Sequence, residues 1–186
     1  MNETSHLQLL ASPHIRLHGG VDYGMYNFFR SAMDNHAGGA LVVAMTTLGG
    51  DPEIARVMGE DVRLFCQNTG CPALFLGRVA VYSAGATFMS FFLPENRYCT
   101  HGTRIMIHER QIARTINING PLRDCVGTLK AVLHEIEESI AIEEEGFANL
   151  ITKSDIGIDE VRAKANCNWY IGADQAQARG LIAGVI

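Results

Sequence analysis

The sequence has no apolar run long enough to cross a membrane and no block of basic residues. Its longest uncharged apolar stretch covers residues 79–93, which is shorter than the roughly 20 residues that a spanning helix needs. Lysine and arginine number 15 against 20 acidic residues, and the net charge is −5. Without a basic patch the protein has little electrostatic attraction for nucleic acid. We therefore expect neither a membrane nor a nucleic acid as its partner.

The cysteines do not form a pattern that would bind a metal or build a disulfide framework. The five cysteines are irregularly spaced, and no histidine-rich segment accompanies Cys66 and Cys71. We expect reduced, mostly buried thiols, and the sequence assigns neither a metal nor a cofactor. The first residues also lack the positive and apolar regions of a signal peptide, so we expect a cytoplasmic protein.

Apolar runs and amphipathic segments alternate along the chain, and this pattern is typical of an α/β fold. The 186 residues, 47% of them hydrophobic, have the length of one domain, which we expect to span residues 1–186. Strands are predicted at 14–21, 40–46, 73–81 and 103–108. Helices are predicted at 23–35, 52–68, 158–165 and 174–179, and over the apolar segment that follows Ser83.

A long amphipathic helix is predicted for residues 121–152. Apolar residues recur there at alternating spacings of four and three, which makes one stripe along the helix. The stripe consists of Leu122, Val126, Leu129, Leu133, Ile136 and Ile140. It could pack on its own domain, but a helix of this length projects beyond a small domain. A contact with another subunit is therefore the favoured interpretation.

Three features could carry chemistry, and each also has a structural explanation. Gly49 and Gly50 follow a predicted buried strand, where backbone N–H groups can turn toward a ligand or simply make a turn. Ser83 lies between a predicted strand and helix, where it could be a nucleophile or a helix N-cap. It does not match the Gly-x-Ser-x-Gly elbow of α/β-hydrolases. His108 closes a predicted strand, where it could be a general base or a satisfied polar residue.

The order and spacing of these features resemble the proteolytic subunit of the Clp protease. That family has its nucleophile in a Ser-x-Gly-Ala setting, as in the run from Ser83 to Ala86, and its base at the end of Met-Ile-His, as in His108. The spacing of 25 residues also matches. The Gly-Gly pair and the Ala-x-x-x-Gly-Leu-Ile run at 176–182 complete the resemblance, which covers nearly the whole chain from residue 14 onward.

The resemblance implies a serine peptidase in which Ser83 attacks the peptide carbonyl and His108 transfers the proton. It also implies that the N–H groups of Gly50 and Ala84 hold the oxyanion, with Gly49 beside the substrate. The family fold is a ClpP/crotonase-like stack of β-β-α units, and its long projecting helix is the handle between stacked rings. Implied partners are a peptide or unfolded protein substrate, further copies of the chain as a homo-oligomer, and a Clp-type ATPase.

The sequence departs from the family pattern in three ways. Asn168 stands where the family has the aspartate of the catalytic triad. An amide can accept a hydrogen bond from the imidazole but cannot offset the charge of the imidazolium. Only about a dozen residues precede the first predicted strand, where the family has a helix and an axial gating loop. The spacing from His108 to Asn168 is also longer than in the family, and the excess falls in the handle.

The sequence is also compatible with two other functions. The chain could be a catalytically impaired structural or regulatory subunit that keeps the fold, and Asn168 supports that alternative. The same fold could also serve acyl-CoA chemistry, with Gly49 and Gly50 holding a thioester oxyanion. Such enzymes are usually longer and use a glutamate rather than serine and histidine, so the serine peptidase is the favoured prediction.

Overall fold

The computed structural model describes residues 3–186 of the chain, with side chains from residue 7 onward. Its strands are β1 (Ile15–His18), β2 (Leu41–Thr47), β3 (Ala73–Tyr82), β4 (Arg97–Cys99), β5 (Arg104–Ile107), β6 (Trp169–Gly172) and β7 (Gly184–Val185). Its helices are α1 (Glu3–Leu10), α2 (Tyr23–Asp34), α3 (Pro52–Thr69), α4 (Ala84–Met89), α5 (Leu122–Ile151), α6 (Ile158–Ala165) and α7 (Ala173–Ala178), with a 3₁₀ turn at Pro94–Asn96.

One sheet contains all of these strands, and most of them are parallel. The hydrogen-bonded order is β1-β2-β3-β4-β7, and each neighbouring pair is parallel. The first half of β3 pairs with β4 and its second half pairs with β5. Between the halves Val79 has a positive φ of 62° and its side chain is 70% exposed. Because of this break, one ten-residue strand pairs with two different strands along its length.

The core forms because β2 and β3 are continuously apolar and helices cover the sheet. Six of the seven residues of β2 are buried, as expected for a central strand of a parallel sheet. Phe29 of α2 and Phe88 of α4 make an edge contact with ring centroids 5.7 Å apart. Phe75 of β3 and Phe92 pack against Phe88 in the same way, so α4 is seated on the centre of the sheet.

The predicted α/β class is confirmed, and the predicted elements differ from the observed ones mainly at their ends. The long predicted helix is α5, and the predicted strand at 103–108 is β5. The elements absent from the prediction are α1, the 3₁₀ turn and three short strands, β4, β6 and β7. None of the helices within residues 3–186 combines the length and the apolar character needed to cross a membrane.

Helix α5 has 30 residues and is therefore about 45 Å long at ~1.5 Å per residue. Its buried residues are Val132, Phe147 and Leu150. The stripe predicted to need a partner is largely uncovered. Its exposed members are Leu122 (85%), Val126 (51%), Leu129 (45%), Leu133 (53%) and Ile140 (52%). The chain itself therefore does not cover this apolar face.

Arg97 joins three parts of the fold that lie far apart in sequence. Its side chain is fully buried and its guanidinium donates only to backbone carbonyls. The acceptors are the carbonyl oxygens of Phe92 (2.8 Å), Leu150 (2.6 Å), Leu181 (3.4 Å), Ser90 (3.1 Å) and Asn149 (3.3 Å). Burial lowers the pKa of Arg97 to about 10, so the group keeps its charge at neutral pH. Arg97 thus fastens the segment after α4 to the end of α5.

Replacing Arg97 should destabilise the protein, because buried carbonyl groups would lose their donors. We expect Arg97→Met to lower the free energy of unfolding by about 3 to 5 kcal/mol. Urea denaturation at one fixed protein concentration measures the change. The control is Arg123→Met on the exposed surface of α5, which should leave the midpoint nearly unchanged. Equal midpoints for the two variants would contradict the role assigned to Arg97.

Candidate active site

The short strand β5 brings the candidate residues to one edge of the sheet. It pairs with the end of β3, where Tyr82 is opposite Met106. It also pairs with β6 in antiparallel register, where Ile107 is opposite Trp169. Ser83 follows β3, His108 follows β5 and Asn168 precedes β6. These three residues therefore leave neighbouring strands at the same level.

Ser83 and His108 are in direct contact. The hydroxyl oxygen of Ser83 lies 2.7 Å from Nε2 of His108, and both residues are half-buried. Ser83 occupies the N-cap position of α4, but its side chain makes no capping hydrogen bond. The alternative in which Ser83 serves only as a helix cap therefore has no support from the geometry.

The backbone carbonyl of Glu109 determines which tautomer His108 adopts. Nδ1 of His108 lies 2.6 Å from that carbonyl oxygen. A carbonyl oxygen can only accept, so Nδ1 must carry the hydrogen. In the neutral ring Nε2 is then the unprotonated nitrogen and can accept the hydroxyl proton of Ser83. This is the tautomer that a general base of a serine nucleophile needs.

The backbone of Ser83 adopts an unusual conformation. Its φ is 54° and its ψ is −115°, which non-glycine residues rarely adopt. Holding such a conformation costs on the order of 1–3 kcal/mol and requires fixed surroundings. The Ser83 N–H donates to the carbonyl of Met106 at 2.9 Å, and the Ser83 carbonyl accepts from Ala86 at 2.9 Å. The serine is therefore held rigidly between β5 and α4.

Gly49 and Gly50 form a loop that passes directly beside Ser83. Both have positive φ values, 115° and 147°. A Cβ on Gly49 would lie 2.8 Å from Cβ of Ser83, and one on Gly50 would lie 2.3 Å from the carbonyl oxygen of Val21. Glycine is required at both positions because any side chain would clash there. Of the two, Gly49 is the residue that touches the serine.

Thr47 holds this loop in place. Its buried hydroxyl donates to the carbonyl of Gly19 at 2.7 Å and accepts from the N–H of Gly49 at 3.0 Å. A Cβ on Gly85 would lie 2.4 Å from Cγ2 of Thr47, so α4 can approach the loop only with glycine there. The small residues after Ser83 are therefore needed for close packing of α4 against the glycine loop.

Two backbone N–H groups near Ser83 are free to bind an anion. Within residues 3–186 the N–H groups of Gly50 and Ala84 have no hydrogen-bond acceptor. Gly50 is paired with Val21 in a parallel bridge. The hydrogen bonds of this bridge are made by the residues on either side of Gly50, the Gly49 carbonyl and the Asp51 N–H, so the Gly50 N–H takes no part in them. Ala84 is the first residue of α4, and the first N–H groups of a helix have no intrahelical acceptor.

Asn168 lies at the register position opposite His108, but the two side chains are not hydrogen-bonded. Asn168 is exposed, has a φ of 58°, and donates its backbone N–H to the carbonyl of Ala165 at 3.3 Å. The Nδ1 contact that the sequence predicted for Asn168 is made by the Glu109 carbonyl. The role of Asn168 as third triad member therefore stays a prediction.

Ionic contacts surround the segment that follows His108. The guanidinium of Arg110 contacts the carboxylate of Glu53 at the start of α3. The backbone N–H of Arg110 donates to the carboxylate of Glu143 on α5. Burial, together with nearby Glu109 and Glu144, raises the pKa of Glu143. Burial alone would raise the pKa of Glu53, but hydrogen bonds from the side chains of Arg110 and Arg56 lower it.

The fold belongs to a class of known structures, the ClpP-like α/β fold. The chain matches an Asn-to-Asp variant of ClpP1 from Listeria monocytogenes with a TM-score of 0.74, over 98% of this chain and 95% of that one. The two sequences are 14% identical, so the likeness concerns the fold. Neither a protein-family model nor a curated protein sequence matches this chain. The fold expected from the sequence resemblance is thereby confirmed.

Three contributors to the site could not be recognised from the sequence. Thr47 looks like any threonine at the end of a strand, and the bond from its hydroxyl to the Gly19 carbonyl reaches a loop 28 residues away. Glu109 contributes only its carbonyl oxygen, which every residue has. Glu143 reaches the site from α5, and its spacing on that helix does not distinguish it from the neighbouring glutamates. No local signal identifies any of the three.

A methyl group on Gly49 should disable the serine. We expect Gly49→Ala to lower the rate at which a fluorophosphonate labels Ser83 by about 100-fold, because its Cβ would push the hydroxyl away from His108. The matched control is Gly20→Ala in the preceding loop, where a Cβ would meet no atom within 4 Å. Labelling of Gly49→Ala at the rate of the control would contradict this account of the loop.

Proposed function

We propose that this protein is a serine-type peptidase with Ser83 as nucleophile and His108 as general base. The observation that carries the proposal is the 2.7 Å contact between the Ser83 hydroxyl and Nε2 of His108, with Nδ1 already engaged by a carbonyl. Nucleophile, base and an orienting group for the base are the three parts of an activated serine site. The positive φ of Ser83 and the adjacent glycine loop support it further.

In the proposed first step, the Ser83 oxygen attacks the carbonyl carbon of a peptide bond. The hydroxyl proton passes to Nε2 of His108, and the carbonyl oxygen becomes an oxyanion. The free N–H groups of Gly50 and Ala84 are the proposed donors to that oxyanion. Gly49, which has no side chain to obstruct the substrate backbone, is proposed to line the path of the peptide.

The tetrahedral intermediate then collapses to an acyl-enzyme. The carbon–nitrogen bond breaks, and His108 gives its proton to the departing amine. A water molecule attacks the ester in the second half of the reaction, and His108 takes one of its protons. The Ser83 oxygen leaves the carbonyl carbon and recovers that proton, so the enzyme returns to its starting state. Asn168 is proposed to face His108 during these steps as a neutral partner.

The exposed apolar stripe on α5 supports assembly with further copies of the chain. Five stripe residues are at least 45% exposed, and soluble monomers rarely display an apolar face of that extent. Ile112, Ile116 and Ile118, in the segment before α5, are also more than 40% exposed. We propose a ring or stacked-ring homo-oligomer in which this face is buried and peptides or unfolded chains are cleaved inside. A Clp-type ATPase is the partner that such an assembly would use.

A catalytically impaired subunit is the second candidate, and one observation favours it. Asn168 is exposed, and its side chain makes no hydrogen bond to any residue in the described part of the chain. Without a carboxylate near Nδ1, the imidazolium formed during attack is less stabilised. In this alternative the chain would keep the fold and the assembly and would contribute little hydrolysis.

Covalent labelling distinguishes the two candidates. We expect a fluorophosphonate to label the wild type and to leave Ser83→Ala unlabelled, because the probe reacts with an activated serine hydroxyl. The control is Ser90→Ala, whose hydroxyl donates to the carbonyl of Thr87 and lies outside the site. Mass spectrometry of the labelled peptide identifies the modified residue. A wild type that is not labelled by the probe would favour the impaired subunit. Labelling of Ser83→Ala to the same extent as the wild type would refute Ser83 as the nucleophile.

The proposed assembly predicts a mass well above that of the chain. We expect sedimentation of the wild type at several times 20.3 kDa, and dissociation by Leu133→Glu because a charge would enter a buried apolar contact. The matched control is Ala131→Glu, which places the same charge on an exposed part of α5 that is turned away from the stripe. A wild type that sediments at about 20 kDa would contradict the assembly.

A further inference from the structure

One peptide bond connects His108 to a carboxylate on α5. The carbonyl oxygen of Glu109 accepts from Nδ1 of His108 at 2.6 Å. The N–H on the other side of the same peptide bond, which belongs to Arg110, donates to the carboxylate of Glu143. Nε2 of His108 in turn contacts the Ser83 hydroxyl at 2.7 Å. A continuous hydrogen-bonded chain therefore runs from carboxylate to peptide to imidazole to hydroxyl.

A peptide bond can transmit the influence of a charge between its two polar ends. The amide is a resonance-delocalised unit, which is why it is planar. A carboxylate that accepts from the N–H draws positive character toward that end and leaves more negative charge on the carbonyl oxygen. Hydrogen bonds in such chains strengthen one another, and bonds to a charged group are the strongest. The carbonyl of Glu109 is therefore a better acceptor for Nδ1 than an isolated carbonyl would be.

We propose that Glu143, acting through the Glu109–Arg110 peptide, is the acidic partner of His108 that Asn168 does not provide. The inference rests on the proposed serine peptidase and adds a positioning residue to it. No proton passes through the peptide. The proton of Ser83 moves to Nε2 of His108 and then to the leaving amine, while Nδ1 keeps its own hydrogen. Glu143 stabilises the imidazolium that exists between those two transfers.

The charges around Glu143 are compatible with this role. Arg110 faces it from the segment after β5, and the Arg110 guanidinium is itself occupied by Glu53 of α3. Glu109 faces it from the same segment and Glu144 from its own helix, while Glu144 is bound by Arg162 of α6. Burial is the main reason why the pKa of Glu143 is raised. As pH falls through that raised pKa, Glu143 loses its charge and His108 loses the support.

The test is the pH profile of fluorophosphonate labelling at Ser83 in the assembled protein. Glu143→Gln keeps an oxygen that can accept from the Arg110 N–H but removes the charge. We expect its labelling rate at neutral pH to fall by about tenfold. We also expect the midpoint of the acidic limb to move down by about 0.5 to 1 pH unit, because an imidazole without a nearby anion binds its proton less tightly. A role confined to folding would not move that midpoint.

Two further variants separate the explanations. Glu138→Gln, which removes the same charge from an exposed position on α5 that does not affect Glu143, should behave like the wild type. Asn168→Asp in the Glu143→Gln background should restore the rate and the midpoint, because it returns a carboxylate to the neighbourhood of His108. If Glu143→Gln is poorly folded, Glu143→Asp, which keeps the charge, takes its place. We expect the His108 Nδ1 proton to resonate far downfield in both the wild type and Glu143→Asp, and an ordinary imidazole position in the wild type would overturn the role of Glu143.

The outcomes distinguish this inference from the function on which it rests. Labelling of Ser83 with the same rate and the same midpoint in wild type and Glu143→Gln would overturn the role of Glu143 and leave the serine peptidase intact. Failure of Asn168→Asp to rescue a slow Glu143→Gln variant would also overturn it. A wild type that is never labelled would overturn the proposed function and this inference together.

Discussion

The site depends on the pairing of the four-residue strand β5 with two neighbours at once. Parallel pairing with β3 places Ser83 one residue beyond the Tyr82–Met106 pair. Antiparallel pairing with β6 places Asn168 one residue beyond the Ile107–Trp169 pair, at the level of His108. Side chains alternate strictly along a strand, so a slip of one residue would turn His108 to the other face of the sheet. Serine, histidine and glycine loop meet because that register is fixed.

Much of the fold could be predicted from the sequence because its signals are local and strong. Continuous apolar runs identify β2 and β3, and the apolar stripe from Leu122 to Ile140 identifies α5. The missing strands β4, β6 and β7 have two to four residues each, too few for alternation to be visible. They exist because neighbouring strands offer free backbone groups, which is a property of the folded sheet.

In the candidate site, residues that act through their side chains could be predicted, whereas a residue that acts through its backbone could not. Ser83, His108 and Gly49 could be found because residue type and spacing carry their chemistry. The orienting carbonyl of Glu109 could not be found, because every residue has a carbonyl and only the turn after β5 aims this one at Nδ1. Asn168 was found by its position before Trp169, yet its side chain is exposed rather than bonded to the imidazole. The family resemblance could single out the position of Asn168, whereas the hydrogen-bond partner of the imidazole could not be predicted.

Arg97 gives the fold an unusual response to acid. Its acceptors are backbone carbonyls, which do not titrate, and its own charge persists at every pH below about 10. The contacts near His108 depend instead on the carboxylates of Glu53 and Glu143, which do titrate. Mild acid would therefore remove the charge of Glu143, whose pKa is raised. The carboxylate of Glu53, whose pKa is lowered, and the bonds of Arg97 would persist. Such a protein would lose its arrangement at the imidazole before it unfolds, and neutralisation would bring that arrangement back.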